Sequence, residues 1–179
     1  MHARYLILPF ALVATPLTAQ TAVDSAKVIS QILIIVSAAG AYSWLITTSG
    51  FPLKLVDTIA SFHLDTWLLL LIINIVLLFV GTVLEPPAAI LILTPLLMPL
   101  IVQAGVDEIH FGIIFTVNLA VGMFIPPFGL NLFATHALFG IPLSKLYRDI
   151  LPFIAVYLIA LGLITYVPAI TLAPLQLWR

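Results

Sequence analysis

Gly81-Thr82-Val83-Leu84-Glu85-Pro86-Pro87 is the stretch whose reading decides the fold, because it interrupts an otherwise unbroken hydrocarbon run over residues 67–103. As one helix that run would measure about 55 Å, nearly two bilayer cores of about 30 Å, so it must turn. Glycine, a hydroxyl, a carboxylate and two prolines mark the place. Pro86 and Pro87 lack amide hydrogens and suit the first turn of a new helix, with Thr82 or Glu85 available near its N-terminus. Two geometries satisfy the pattern. Two full spans would leave Glu85 in water, whereas a re-entrant hairpin would end inside the membrane and make Glu85 an intramembrane carboxylate, a group that is functional by default.

Composition identifies the solvent. Of 179 residues 63% are hydrophobic and 7% charged, against roughly 25% charged in an ordinary soluble domain, so no soluble core could hide this much apolar surface. Residues 28–48, 111–139 and 150–167 join 67–103 as stretches long enough to cross a bilayer, giving one all-α membrane domain of about four to six passes or half-passes. The net charge of −1 with scattered charges argues against a nucleic-acid partner. With no cysteine, disulfides, thiolate metal sites and thiol nucleophiles are excluded. The chain also lacks a paired-carboxylate, HExxH or GxSxG constellation, so an enzyme is not expected.

Residues 1–20 stand apart. His2 and Arg4 precede an apolar run over 5–13 that ends near Pro16 and Ala19, which reads either as a signal-like leader or as the remnant of a preceding membrane helix. Residues 28–48 read as a plain span with Trp44 at one interface. Residues 50–65 carry Pro52, Lys54, Asp57, His63 and Asp65 among leucines, a loop or an interfacial helix in which His63 is a solvated histidine.

Residues 111–139 form the second interrupted stretch, about 43 Å as one helix. Asn118 and Gly122 lead into Ile125-Pro126-Pro127-Phe128-Gly129, followed by Asn131, Thr135 and His136. A double proline in mid-helix removes two donors and frees the carbonyls of Gly122 and Met123, while Gly129 permits a sharp departure from helical dihedrals. Freed carbonyls beside asparagine amides suit a small hard cation such as sodium. A packing kink, with Asn118 and Asn131 as ordinary interhelical hydrogen-bonders, is the alternative. Residues 142–149 are the densest charged patch, and Lys145 and Arg148 place them on the cytoplasmic side. The loop at 105–110 and the end of the chain beyond Pro168 then lie outside.

Set in order, GTVLEPPAAILILTPLLMPL (81–100), AGVDEIHFGIIFTVNLAVGMFIPPFGLNLF (104–133) and Leu151-Pro152-Phe153 resemble the C-terminal half of the large membrane subunit of tripartite ATP-independent periplasmic (TRAP) transporters, the DctM-like proteins. The resemblance covers residues 21–175, leaving 176–179 as a tail. It implies the second inverted repeat of an elevator-type secondary transporter in the bacterial inner membrane, with 81–87 as the tip of a re-entrant hairpin and 122–131 as an unwound transmembrane helix. It implies a sodium-driven importer of organic anions (dicarboxylates, keto acids or sugar acids), and no cofactor beyond sodium as coupling ion. The implied partners are a periplasmic substrate-binding protein, a small membrane subunit and a complementary N-terminal repeat.

On this reading Gly81, Thr82, Met123, Ile125 and Pro126 help hold sodium, Glu85 stabilises the tip or adds negative potential, and Asn118, Gly129 and Asn131 orient the loops or reach the substrate. Ile125 departs from the family's usual threonine before the double proline, so a hydroxyl ligand is missing there. Pro87 stiffens the tip. Only one of the family's two repeats is present, so transport is expected to need the other; a non-transporting membrane fragment or accessory subunit is the second reading.

Overall fold

The computed structural model describes residues 3–177, with side chains over 19–174. The expected leader or remnant falls largely outside the described side chains, and residues 178–179 of the tail lie outside the described chain. Eight helices follow one another: α1 (Ala3–Thr48), α2 (Phe51–Ser61), α3 (Thr66–Val83), α4 (Pro86–Gln103), α5 (Glu108–Gly122), α6 (Leu130–Phe139), α7 (Leu143–Tyr166) and α8 (Pro168–Leu177). The chain divides into two compact units, residues 1–38 and 39–179. The first is helical, and on its surface Lys27 pairs with Asp24 at 3.1 Å. Four helices among the described residues are long and apolar enough to cross a membrane: Ala19–Thr48 within α1, α3, α4 and α7.

Each interruption read from the sequence is a helix boundary in the second unit. The 67–103 run becomes α3 and α4, separated by Leu84 and Glu85 in extended conformation. Pro86 and Pro87 open α4, where their missing N–H groups cost nothing. Glu85 occupies the N-cap position, but its side chain makes no cap hydrogen bond, and the Thr82 hydroxyl turns back to the Phe79 carbonyl at 2.7 Å. Neither side chain therefore caps α4 as expected; the prolines and backbone do the work. The Thr66 hydroxyl donates to the Ala104 carbonyl at 3.3 Å, so α3 begins where α4 ends. Residues 50–65 contain α2, with Pro52 and Val56 buried and Lys54 and Asp57 exposed.

The core lies around α5, which packs most extensively on α3 and also meets α4, α7 and α8. Leu77, Ala89, Ile101, Phe111 and Leu119 are completely buried in one cluster, and Phe111 and Phe115 add a tilted ring pair at 5.6 Å. Outward-facing Phe79, Leu138 and Phe139 are 69%, 78% and 72% exposed, the arrangement expected where hydrocarbon, not water, is the surrounding medium.

The start of α5 has its own device. Asp107 accepts from the amides of Ile109 at 2.9 Å and His110 at 3.0 Å, a two-donor N-cap. Asp107→Ala should destabilise the chain by about 1 kcal/mol, and Asp107→Asn by less. Thermal unfolding in detergent checks this; equal losses for the two variants would remove the cap from the account.

Candidate functional site

The two interrupted elements meet at a pair of glycines. A Cβ placed on Gly122 would lie 2.7 Å from the Gly81 Cα and carbonyl carbon and 2.9 Å from the Leu78 oxygen. One placed on Gly81 would lie 3.0 Å from the Leu119 Cα and oxygen and 3.2 Å from the Gly122 Cα. The last turn of α3 and the last turn of α5 thus touch backbone to backbone, tightly at Gly81 and with no room for a side chain at Gly122. Thr82, next to this contact, is 3% exposed. Its hydroxyl hydrogen is committed to the Phe79 carbonyl, which leaves oxygen lone pairs as its remaining function.

After Gly122 the chain leaves helical geometry over residues 123–129 and resumes at Leu130. The carbonyls that the double proline was expected to free are both used again. Ile125 N–H donates to the Gly122 oxygen at 3.0 Å, and Asn131 N–H donates to the Met123 oxygen at 3.2 Å. The chain folds back on itself, so a new donor reaches each carbonyl where the prolines supply none. Each oxygen keeps a second lone pair. Gly129 makes the fold-back, with φ 46°, and a Cβ there would meet Leu132 at 3.0 Å and the Ile125 oxygen at 3.1 Å. Pro126 is half-buried and joined to Pro127 by a cis peptide. The segment is held to α7 twice, by the Tyr147 hydroxyl donating to the Pro127 carbonyl at 2.7 Å and by Phe124 stacked on Tyr157 at 6.3 Å.

The remaining predicted residues separate by burial. Glu85 is exposed at the α3–α4 break. Asn131 is half-buried at the start of α6. Asn118 is completely buried. Its Nδ2 donates to the Asn74 Oδ1 at 2.6 Å and to the Ile114 carbonyl at 2.8 Å. Because the Ile114 oxygen can only accept, the amide cannot be turned over, and Asn118 Oδ1 is left as a buried acceptor with no protein donor.

Sequence reasoning missed what lies beyond Asn118. Asn74 donates to the Thr165 hydroxyl at 3.1 Å. His110 Nε2 faces the Thr165 carbonyl at 3.2 Å, and its Nδ1 faces the Thr171 hydroxyl at 2.6 Å. All five side chains are buried. The network ties α5 to α3, α7 and α8 through groups that hydrocarbon would otherwise leave unpaired. The signal was present in one place: Asn74 is the lone amide in the apolar run of α3. Among the described residues no three His, Asp or Glu side chains converge; the oxygens beside the glycine contact are the backbone carbonyls of Leu78 and Leu119.

Against known proteins, residues 12–170 match the model of the DctM component of the tripartite ATP-independent periplasmic transporters. The chain belongs to this family. DctM proteins are multi-pass proteins of the inner membrane, and the four apolar helices here agree with that. The C4-dicarboxylate TRAP transporter large permease protein DctM of Pseudomonas aeruginosa is 39% identical over 150 residues, which are 84% of this chain and 35% of the relative. The isethionate TRAP transporter permease protein DctMQ of Oleidesulfovibrio alaskensis is 38% identical over 148 residues, 83% of this chain and 23% of the relative. The sialic acid TRAP transporter large permease protein SiaM of Vibrio cholerae is 33% identical over 141 residues, 79% and 33% of the two chains. The chain thus spans about a quarter to a third of the length of these DctM relatives. All three are permeases by name, which supports a role other than catalysis.

Proposed function

We propose that this chain supplies one half of the transport site of a sodium-coupled, elevator-type importer of organic anions. The observation that carries the reading is the Gly81–Gly122 contact, which joins the broken end of α3 to the broken end of α5 at one point. Irregular backbone at membrane depth is tolerated where it is buried in protein or lines a water-filled path, and in secondary transporters such broken helices build the ion and substrate sites; here two of them meet at one point. In this reading α3 and α4 are the arms of a re-entrant hairpin with Glu85 at its tip, and α5 and α6 are the halves of an unwound helix.

Sodium would draw on oxygens of Gly81, Thr82, Met123, Ile125 and Pro126. Thr82 fits because its hydroxyl already donates elsewhere and so can offer only lone pairs. Bound sodium stiffens the tip and completes the anion site, so ion and substrate favour each other's binding. Gly129 and Asn131 shape the opposite lip, and Asn118 holds α5 in register with α3. Names among the relatives, C4-dicarboxylate, isethionate and sialic acid, support an anionic substrate. A complementary repeat supplies the other half of the site, a periplasmic binding protein delivers the anion, and a small membrane subunit supports the assembly.

The test is sodium-gradient-driven uptake in proteoliposomes, with the chain alone and then with a complementary N-terminal repeat and the binding protein. Uptake is expected only in the complete mixture; robust uptake by the chain alone, or uptake indifferent to the sodium gradient, would sink the proposal. In the complete mixture Thr82→Ala should raise the sodium concentration for half-maximal uptake about tenfold, the equivalent of one lost charge-assisted contact. An unchanged sodium titration would remove Thr82 from the ion site.

A further inference from the structure

A trough between α2, α3 and α4 has the shape of an amphiphile. Its deep part is a cavity of about 530 Å³ with walls that include Ile59, Phe62, Ile72, Val76 and Leu97, and every residue lining it carries a hydrocarbon side chain. Four of those wall residues (Ile59, Leu64, Leu69 and Leu100) also line a second, adjoining cavity of about 180 Å³, which adds His63, Gln103 and the Ala104 turn. One end of the trough is therefore polar and the other contains no polar side chain.

Depth favours a lipid tail over a full transmembrane helix. From Thr66, the first residue of α3, to Val76 is about 15 Å of helix, half of a hydrocarbon core of about 30 Å. The trough stops there, although α3 and α4 both continue past it. A transmembrane helix seated on this face would run along both leaflets and needs a groove about 10 Å wide; a lipid tail ends at mid-bilayer. The polar end lies beside α2, whose buried Pro52 and Val56 and exposed Lys54 and Asp57 suit the membrane interface. At that mouth the Ser61 carbonyl, which can only accept, takes the His63 Nδ1–H at 2.9 Å, leaving Nε2 and the Gln103 amide as the side-chain hydrogen-bonding groups. With the proton on Nδ1, Nε2 accepts and suits a headgroup ammonium or hydroxyl, while the Gln103 amide N–H groups suit the ester and phosphate oxygens of a glycerophospholipid.

We propose that this trough is a binding site for one phospholipid, with an acyl chain along Ile72, Val76 and Leu97 and its head at His63 and Gln103. The proposal is independent of sodium coupling. The chain, reconstituted with phosphatidylethanolamine and phosphatidylglycerol and extracted in detergent, is examined by native mass spectrometry. One phospholipid should stay bound after loosely held lipid is stripped. Val76→Trp, which fills the trough, should lower that occupancy about tenfold. Ile75→Trp should leave it unchanged, since Ile75 lies outside the trough and is 59% exposed against 48% for Val76. A phospholipid with a photoreactive group at the tail end should label the region of Val76 and Leu97, and one with the group near the ester should label that of Ile59 and Leu100. Equal retention by wild type and Val76→Trp, equal loss in the two tryptophan variants, retention of a free fatty acid as firmly as phospholipid, or displacement of the lipid by a second copy or by the complementary repeat would each overturn the proposal.

Discussion

Gly122→Ala should lower the stability of the chain by about 2 kcal/mol. Two terms oppose each other. Alanine in place of an interior helical glycine gains up to about 1 kcal/mol, whereas forcing an extra carbon into a filled space costs about 1–3 kcal/mol. At Gly122 the cost takes its upper value, because the added carbon meets Gly81 backbone at 2.7 Å and the Leu78 oxygen at 2.9 Å, and backbone cannot rotate aside. Gly81→Ala meets its neighbours at 3.0 Å and beyond, so the two terms nearly cancel. Gly112→Ala and Gly162→Ala have nothing within 4 Å of the new carbon and should raise stability. Thermal unfolding of the detergent-solubilised chain gives the order directly. A melting temperature for Gly122→Ala at or above that of Gly112→Ala would show that the close contact between α3 and α5 is not as described.

Asn74→Leu should cost about 1–3 kcal/mol, the range for buried groups stripped of a partner. Leucine keeps the branching at Cγ but is bulkier, so some overpacking adds to the loss. What is lost is the acceptor of the Asn118 amide and the donor to Thr165, with both of those groups still buried. Adding Asn118→Leu should not add its own full cost, because the amide left short of a partner and the buried Oδ1 that has none are removed together. A double-mutant cycle should give a coupling between about 0.6 kcal/mol, the mean measured for polar pairs between membrane helices, and about 1.7 kcal/mol, the largest. Additive losses would mean that the two asparagines stabilise the bundle separately.

Much of the fold was legible because punctuation in a membrane sequence is sparse and costly. Glycine and proline have few reasons to sit in hydrocarbon runs, so the clusters at 81–87 and 125–129 marked the ends of α3 and α5 to within a few residues. The consequences of that punctuation were less legible. Counting missing proline donors predicts free carbonyls at Gly122 and Met123, but the return of the chain at Gly129 brings the Asn131 amide to one of them and the Ile125 amide to the other. Glu85 attracts attention as the only carboxylate in its run, yet the structure leaves it exposed beside a cap made by prolines.

The buried network was illegible for a different reason. Asn74 and Thr165 are 91 positions apart, and His110 and Thr171 are 61 apart. Periodicity and spacing report on one helix at a time, whereas hydrogen bonds between helices depend on crossing angles that no single segment encodes. The family resemblance identified which segments belong together, but the atoms that hold them together come from the packing of α5.

The glycine contact also sets a phase. On an α-helix each residue turns the next by about 100°, so a single insertion within α5 ahead of Gly122 would swing that glycine off the α3 face and bring a side chain against Gly81. An insertion in the 104–107 turn, before the helix starts, would shift no residue of α5 relative to another. Two short stretches of sequence that look alike in tolerance, the 104–107 turn and the first turns of α5, therefore differ sharply: one is slack that length variation can use, and the other is a fixed count from the Asp107 cap to the point of contact.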